Sequence, residues 1–239
     1  MRFQDFDKMR SCLRHWLLGR NYHQALKAME LGLTLHTGLR KDGTPEFLHQ
    51  ISQVQFARTL ENELIYPEET FCVLFLHDGP EDHGLSLDLV RDQFGDRVWH
   101  STELFTDVDM GGNEKPLAAY FDVMQFDPIA SLGKGIDRMH NFQTMIGVFT
   151  PEKQLRYLQE GDDYIIPMLK KARKRFTQQE KAYHNVLHVL RIQMELIRTI
   201  RNGEDIIPGT AADKAKLVGR ASPKPDLVIG KTGVVLPMA

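Results

Sequence analysis

"PEETFCVLFLHDGPEDHG", residues 67–84, is the stretch on which the fold turns. Its centre, "FCVLFL", is an unbroken apolar run, and Pro67 stands where a first-turn proline opens a helix. The pattern predicts a buried helix carrying "ETFCVLFLHD" that Gly79 and Pro80 stop. His77 and Asp78 close that helix, and Glu81 and Asp82 follow the break, so four polar groups collect at the end of an apolar segment. Burying such groups without partners is costly, and a metal ion would explain their presence.

Outward from this stretch, helical periodicity dominates. From Phe6 to Leu35 the apolar residues Leu13, Trp16, Leu17, Ala25, Leu26, Met29 and Leu33 recur at threes and fours, as on one or two amphipathic helices. "RKDGTPEF" interrupts with loop chemistry, and helical patterning resumes from about Glu46 to Leu64. Further on, "SLDLVRDQFG" reads as a short helix capped by Ser86 and closed by Gly95, and "DRVWHSTELF" as another. A polar loop around "DMGGNEKP" precedes helices near Lys115 to Phe126, over "IASLGKGIDRMHNFQTMIG", and at 151–175 and 178–202. No alternating strand pattern competes, so the expected fold class is all-α.

After residue 202 the composition shifts. Residues 203–239 hold Pro208, Pro223, Pro225 and Pro237 among several glycines, which predicts an extended arm beyond a domain covering 1–202.

The 239 residues include 30 basic and 32 acidic side chains, a near balance that argues against a general nucleic-acid binder. The basic run "KKARKRF" (170–176) lies on an amphipathic pattern, where a solvated face is the simplest account. An RNA strip, an extension of a nucleotide pocket or a subunit contact, as in a homo-oligomer, are the other readings. Cys12 and Cys72 form neither a disulfide framework nor a zinc-finger spacing. With no signal-like N-terminus and no long apolar span, a cytoplasmic protein without a membrane partner is expected.

Two other places supply groups that match His77 and Asp78. His49 follows "RKDGTPEFL", and Asp137 lies in "GKGIDRMHN". Two imidazoles and two carboxylates suit manganese, iron or zinc with open positions better than a closed structural zinc site, which prefers thiolates.

With "HTGLRKDGTPEFLH" (36–49), "LHDGPED" (76–82) and "KGIDRMHNFQT" (134–144) in this order, the chain resembles the HD-domain phosphohydrolases, and among them the hydrolase domain of the RelA/SpoT homologues. The likeness spans roughly residues 20–175. It implies a helical HD bundle in which His49, His77, Asp78 and Asp137 hold one divalent ion, usually manganese, with zinc or iron as alternatives. It implies that Glu81 and Asp82 orient or deprotonate a water and assist the leaving group. It gives Arg40 the guanine face, Lys41 the phosphates, Asn141 the ribose, and Lys134 and Thr144 phosphate or base contacts.

The implied reaction is hydrolysis of the 3'-pyrophosphate of guanosine tetra- or pentaphosphate alarmones, giving GDP or GTP and pyrophosphate. Other nucleotides (a nicotinamide dinucleotide 2'-phosphate, a deoxynucleotide, a pyrophosphorylated RNA 3' end) are the alternatives within the enzyme class. A non-catalytic HD domain that binds a nucleotide or a partner is the alternative outside it, and a retired site would be expected to have lost a ligand. Two positions depart from the family pattern: Gln50 replaces a common proline, and Glu46 places an acid near the purine pocket. About 60 residues follow the matched region, too few for a synthetase domain, so a stand-alone hydrolase is expected.

The remaining histidines have plain explanations. His36, His100, His184 and His188 are expected to be structural or solvated, the last two as surface residues without an acid partner, and His140 to pack behind Asp137.

Overall fold

The computed structural model describes residues 3–107 and 115–204. Those residues form helices α1 (Phe3–Gly19), α2 (His23–Leu35), α3 (Leu48–Ala57), α4 (Pro67–Leu76), α5 (Gly79–Asp82), α6 (Leu87–Phe94) and α7 (Asp96–Phe105). After the undescribed loop come α8 (Leu117–Met124), α9 (Pro128–Thr144), α10 (Pro151–Glu160), α11 (Ile166–Arg175) and α12 (Glu180–Glu204). Among the described residues there is no strand, only an isolated bridge between Leu39 and Pro45 that pinches the α2–α3 loop. The all-α expectation holds.

The chain divides into two units between Arg198 and Thr199, inside α12, and the second is described only as far as Glu204. The expected arm at 203–239 therefore lies almost wholly outside the described residues.

Helix α4 is the central element because every side chain from Thr70 to Leu76 is buried. It packs against α2, α3, α7 and α9, which together enclose it. Helix α9 is fixed at its start by Asp127, whose carboxylate accepts from Ile129 N at 2.9 Å and Ala130 N at 2.6 Å, with Pro128 in the first turn. Close approach of α2 to the α3 entrance depends on Gly32, since a Cβ there would stand 2.4 Å from Phe47 Cε2 and 3.0 Å from the Phe75 carbonyl oxygen.

Three local expectations are revised. Helix α4 stops before Gly79 and Pro80, as expected, but those two residues also open the short α5, because a proline in a first turn loses no helical hydrogen bond. The 46–64 helix is shorter, with α3 tightening into a 3₁₀ segment over Arg58–Glu63. The 151–175 helix is split by a π turn at Gly161–Ile165, just before Pro167, which has no N–H to continue the ladder. The gap at 86 is milder: Ser86 is the N-cap of α6, though its hydroxyl makes no capping hydrogen bond.

The basic run on α11 buries Ile166, Met168, Leu169 and Ala172 and turns its lysines outward, where Lys171 pairs with Asp122 at 3.2 Å. It is a solvated face. No helix among the described residues is long and apolar enough to cross a membrane.

Candidate metal centre

The α4–α5 junction places His77 at the end of one helix and Asp78 at the start of the next, so both side chains turn toward α9. His49 reaches the same point from the first turn of α3, and Asp137 from the middle of α9. His49 Nε2 lies 3.0 Å from Asp137 Oδ1 and 3.7 Å from Asp78 Oδ2. His77 Nε2 lies 3.1 Å from Asp78 Oδ1 and 3.8 Å from Asp137 Oδ1. Residues drawn from three separated motifs thus meet: the donors of His49, His77 and Asp78 lie within 4.8 Å of one another, and Asp137 Oδ1 within 3.8 Å of both imidazoles.

Two observations fit a cation at this point. His77 Nδ1 faces the Leu74 carbonyl at 3.2 Å, and the buried Nε2, without a hydrogen bond, is turned toward the carboxylates. His49 Nδ1 is 2.7 Å from His140 Nδ1, so a proton on His49 Nδ1 shared with His140 frees His49 Nε2 to ligate. His140 therefore packs behind Asp137 as expected and also sets the orientation of a ligand. Burial and the neighbouring His49 and Arg40 lower its pKa to about 3, so it is neutral.

The electrostatics agree. Burial opposes charge on His77, yet Asp78 and Asp137 raise its pKa to about 10. Burial pushes Asp137 up, and His49, His77 and Lys134 overcome it, holding the carboxylate well below its ordinary range. Asp78 is likewise lowered, against burial, chiefly by His77. Carboxylates that hold a proton so firmly on an imidazole offer the same attraction to a dication.

Glutamines complete the setting. Gln50 Nε2 donates to Asp78 Oδ2 at 2.8 Å, and Gln53 Nε2 donates to Asp137 Oδ1 at 3.2 Å while touching His49 Nε2 at 2.6 Å. Asn141 Nδ2 donates to Asp137 Oδ1 at 3.1 Å, and Lys134 Nζ stands 3.9 Å from Asp137 Oδ2.

A cavity of about 300 Å³ opens over this cluster, walled by His49, Asp78, Glu81, Lys134, Asp137, Arg138 and Asn141 among others. Glu81 Oε1 accepts the Asp107 N–H at 2.6 Å. Partial burial raises the Glu81 pKa to about 7, against the pull of that N–H and of Lys134. Arg138 is buried, donates to Glu160, and stacks 4.1 Å over the Tyr157 ring.

The remaining sequence candidates fall around this cavity. Arg40 borders it and also a larger cavity of about 510 Å³ lined by Asp42, Leu48, Phe56, Met139 and Thr144. Arg40 NH2 donates to Thr144 Oγ1 at 3.5 Å. Lys41 lies on a shallower pocket with Lys153, and Asp82 is exposed and outside the lining of the 300 Å³ cavity.

Glu46 is not among the residues lining the cavities that Arg40 borders. Its carboxylate is taken by His83 Nε2 at 3.1 Å and by the Gly38 N–H at 3.3 Å, with His36 Nδ1 beyond hydrogen-bond reach at 3.6 Å. His36 is accordingly buried beside an acid rather than solvated; burial and His83 lower its pKa to about 4. His100, His184 and His188 are exposed, and His184 does have an acid partner, Glu180 at 3.4 Å.

Sequence reasoning missed Gln50 and Gln53 as supports, Asp107, Tyr157 and Glu160 as cavity walls, and His83 as a partner of Glu46. The only available signal was position: Gln53 is one helical turn from His49, and His83 directly follows "HDGPED".

The folded arrangement is a helical protein with two buried or half-buried clusters of His, Asp and Glu side chains that are candidate divalent-metal sites. Comparison with known proteins narrows this. A probable GTP pyrophosphokinase of Mycobacterium leprae is 28% identical over 148 residues, covering 59% of this chain and 18% of that protein. The matched region is thus a small part of that relative's length. A solved structure titled as a metazoan ortholog of SpoT that hydrolyzes ppGpp and plays a role in starvation responses has a TM-score of 0.54 at 19% identity. It covers 70% of this chain and 94% of its own. No protein-family model matches the chain. The fold is similar to that of the SpoT-ortholog structure, and a candidate metal-binding cluster lies where the three sequence motifs converge.

Proposed function

We propose that this protein is a metal-dependent alarmone hydrolase that removes the 3'-pyrophosphate of guanosine tetra- or pentaphosphate. Water adds to the phosphorus bonded to the ribose 3'-oxygen, that P–O bond breaks, and GDP or GTP leaves together with pyrophosphate. The observation that carries the reading is the meeting of His49, His77, Asp78 and Asp137 at one point, with His49, Asp78 and Asp137 lining a cavity walled by Lys134 and Arg138.

Those four residues would hold the ion, manganese in the first instance, with zinc or iron as the alternatives for an N₂O₂ donor set. When bound, a divalent ion there supplies Lewis acidity and lowers the pKa of a water. The chain's own residues do the rest. Glu81, with Oε1 held by the Asp107 N–H, offers Oε2 to the water's proton. Lys134 and Arg138 face the phosphate charge from α9, and Asn141 lies where the ribose would pass. Arg40, on the wall common to both cavities, stacks its guanidinium on the base, while Thr144 steadies it. Asp82, next to Glu81 in the chain, assists the leaving group, and Lys41, on the neighbouring pocket with Lys153, meets the outer phosphates.

The similarity to the Mycobacterium leprae protein and to the SpoT ortholog supports this reading at the level of the family. A panel of guanosine alarmones, NADPH and deoxynucleotides, offered to the purified protein with manganese, tests the substrate. Fastest release of pyrophosphate from the guanosine alarmone is the expected result. Faster release of phosphate from any other member would overturn the substrate assignment.

A further inference from the structure

The α2–α3 loop and the end of α5 build a second cluster that the proposed hydrolysis does not use. His36 closes α2, Glu46 ends the following loop, and His83 closes α5. Their donor atoms all lie within 4.8 Å of one another.

Hydrogen bonding accounts for only part of this grouping, since His83 Nε2 reaches Glu46 Oε1 at 3.1 Å and His36 is left out. His36 is only 5% exposed, yet neither Nδ1 nor Nε2 has a hydrogen-bond partner. A buried imidazole with both nitrogens unpaired is rarely tolerated, because each group lost to water goes uncompensated. The nearest acceptor, Glu46 Oε1, is 3.6 Å from His36 Nδ1, too long for a hydrogen bond, and lies 3.1 Å from His83 Nε2. A tetrahedral ion with bonds of about 2.1 Å separates its ligands by roughly 3.4 Å, and these two spacings bracket that value.

We infer that His36, Glu46 and His83 form a second divalent-metal site, of the two-imidazole, one-carboxylate type, with its remaining position open to solvent or a small anion. That donor set favours zinc or a similar borderline ion over magnesium or calcium. The Gly38 N–H, donating to Glu46 Oε2 at 3.3 Å, orients the carboxylate as an outer partner does in such sites. Glu46 and His83 remain partly exposed, which gives the ion an entry path.

The placement has a consequence. Such an ion ties the loop that carries Arg40 and Lys41 to the short helix that carries Glu81, two parts of the cavity wall that no helix joins directly. The site does not depend on the hydrolase reading, since it shares no ligand with the first cluster.

Metal content after equilibrium dialysis against zinc, measured on the full chain, tests the inference. The wild-type protein is expected to retain about two ions per chain, and His83→Ala and Glu46→Gln each about one. Asp137→Asn, in the first cluster, should also fall to about one. Cobalt loaded in place of zinc should give a tetrahedral visible spectrum that His83→Ala diminishes and Asp137→Asn leaves. If His36→Ala fails to fold, the less buried His83 variant decides. A single wild-type ion that Asp137→Asn removes would overturn the site. So would two ions that persist in both the His83 and Glu46 variants.

Discussion

Gln50 donates from Nε2 to Asp78 Oδ2 at 2.8 Å, so a residue that departs from the related motif holds one of the four clustered donors in place. An outer hydrogen bond of this kind fixes the direction of a carboxylate before any ion arrives. Gln50→Leu removes that bond while keeping side-chain volume. Its manganese affinity, measured by titration calorimetry, should fall by about 10- to 100-fold. Wild-type affinity in the variant would show that Asp78 is oriented by something else.

Glu81 should set the pH behaviour. Its pKa rises from 4.5 to about 7, so in the metal-free protein it is protonated in the acid range and ionised above neutrality. A residue that accepts the water's proton must be ionised, and turnover should climb with pH as Glu81 loses its proton, at a midpoint below the metal-free value of about 7 because a bound dication favours the carboxylate. Glu81→Gln should lose turnover and that rising limb while keeping bound metal. The linked stability effect has the opposite sign. Between 4.5 and about 7 the folded state binds more proton than the unfolded one, so Glu81's contribution to stability declines as pH rises, and the glutamine variant should lack that decline. Full activity in Glu81→Gln would remove this residue from the mechanism.

Gly32 tests how packing positions the site. A valine there must displace Phe47, two residues before His49, or the Phe75 backbone two residues before His77. Overpacking of this kind costs about 1–3 kcal/mol, read as a lower urea midpoint, and metal affinity should fall with it. An unchanged midpoint would mean that the α2 approach is looser than its contacts imply.

Much of this was legible in the sequence, and the reasons for the rest are physical. Periodicity placed the long helices where one face is buried, as α12 buries Tyr183, Val186, Leu187, Leu190 and Met194. It could not find the π turn before Pro167 or the helical start at Gly79, because both depend on where a missing N–H falls in a ladder. The donor residues came from three motifs read together, while their convergence came from the packing of α3 and α9 around the end of α4. Gln50 and Gln53 looked like ordinary polar helix residues, since a glutamine's role depends on what faces it. Glu46 was read as an acid near the base, and the true partners, His36 and His83, lie on two other segments.

The account rests on a metal ion held by His49, His77, Asp78 and Asp137, and one titration tests it most directly. Protein stripped with chelator is offered guanosine tetraphosphate while manganese is added back and pyrophosphate release is followed, alongside Asp137→Asn. The account predicts no turnover without metal, restoration that saturates as the ion binds the wild-type chain, and neither binding at this cluster nor turnover in the variant. Pyrophosphate release that persists in the stripped protein, or equal turnover in Asp137→Asn, would contradict it.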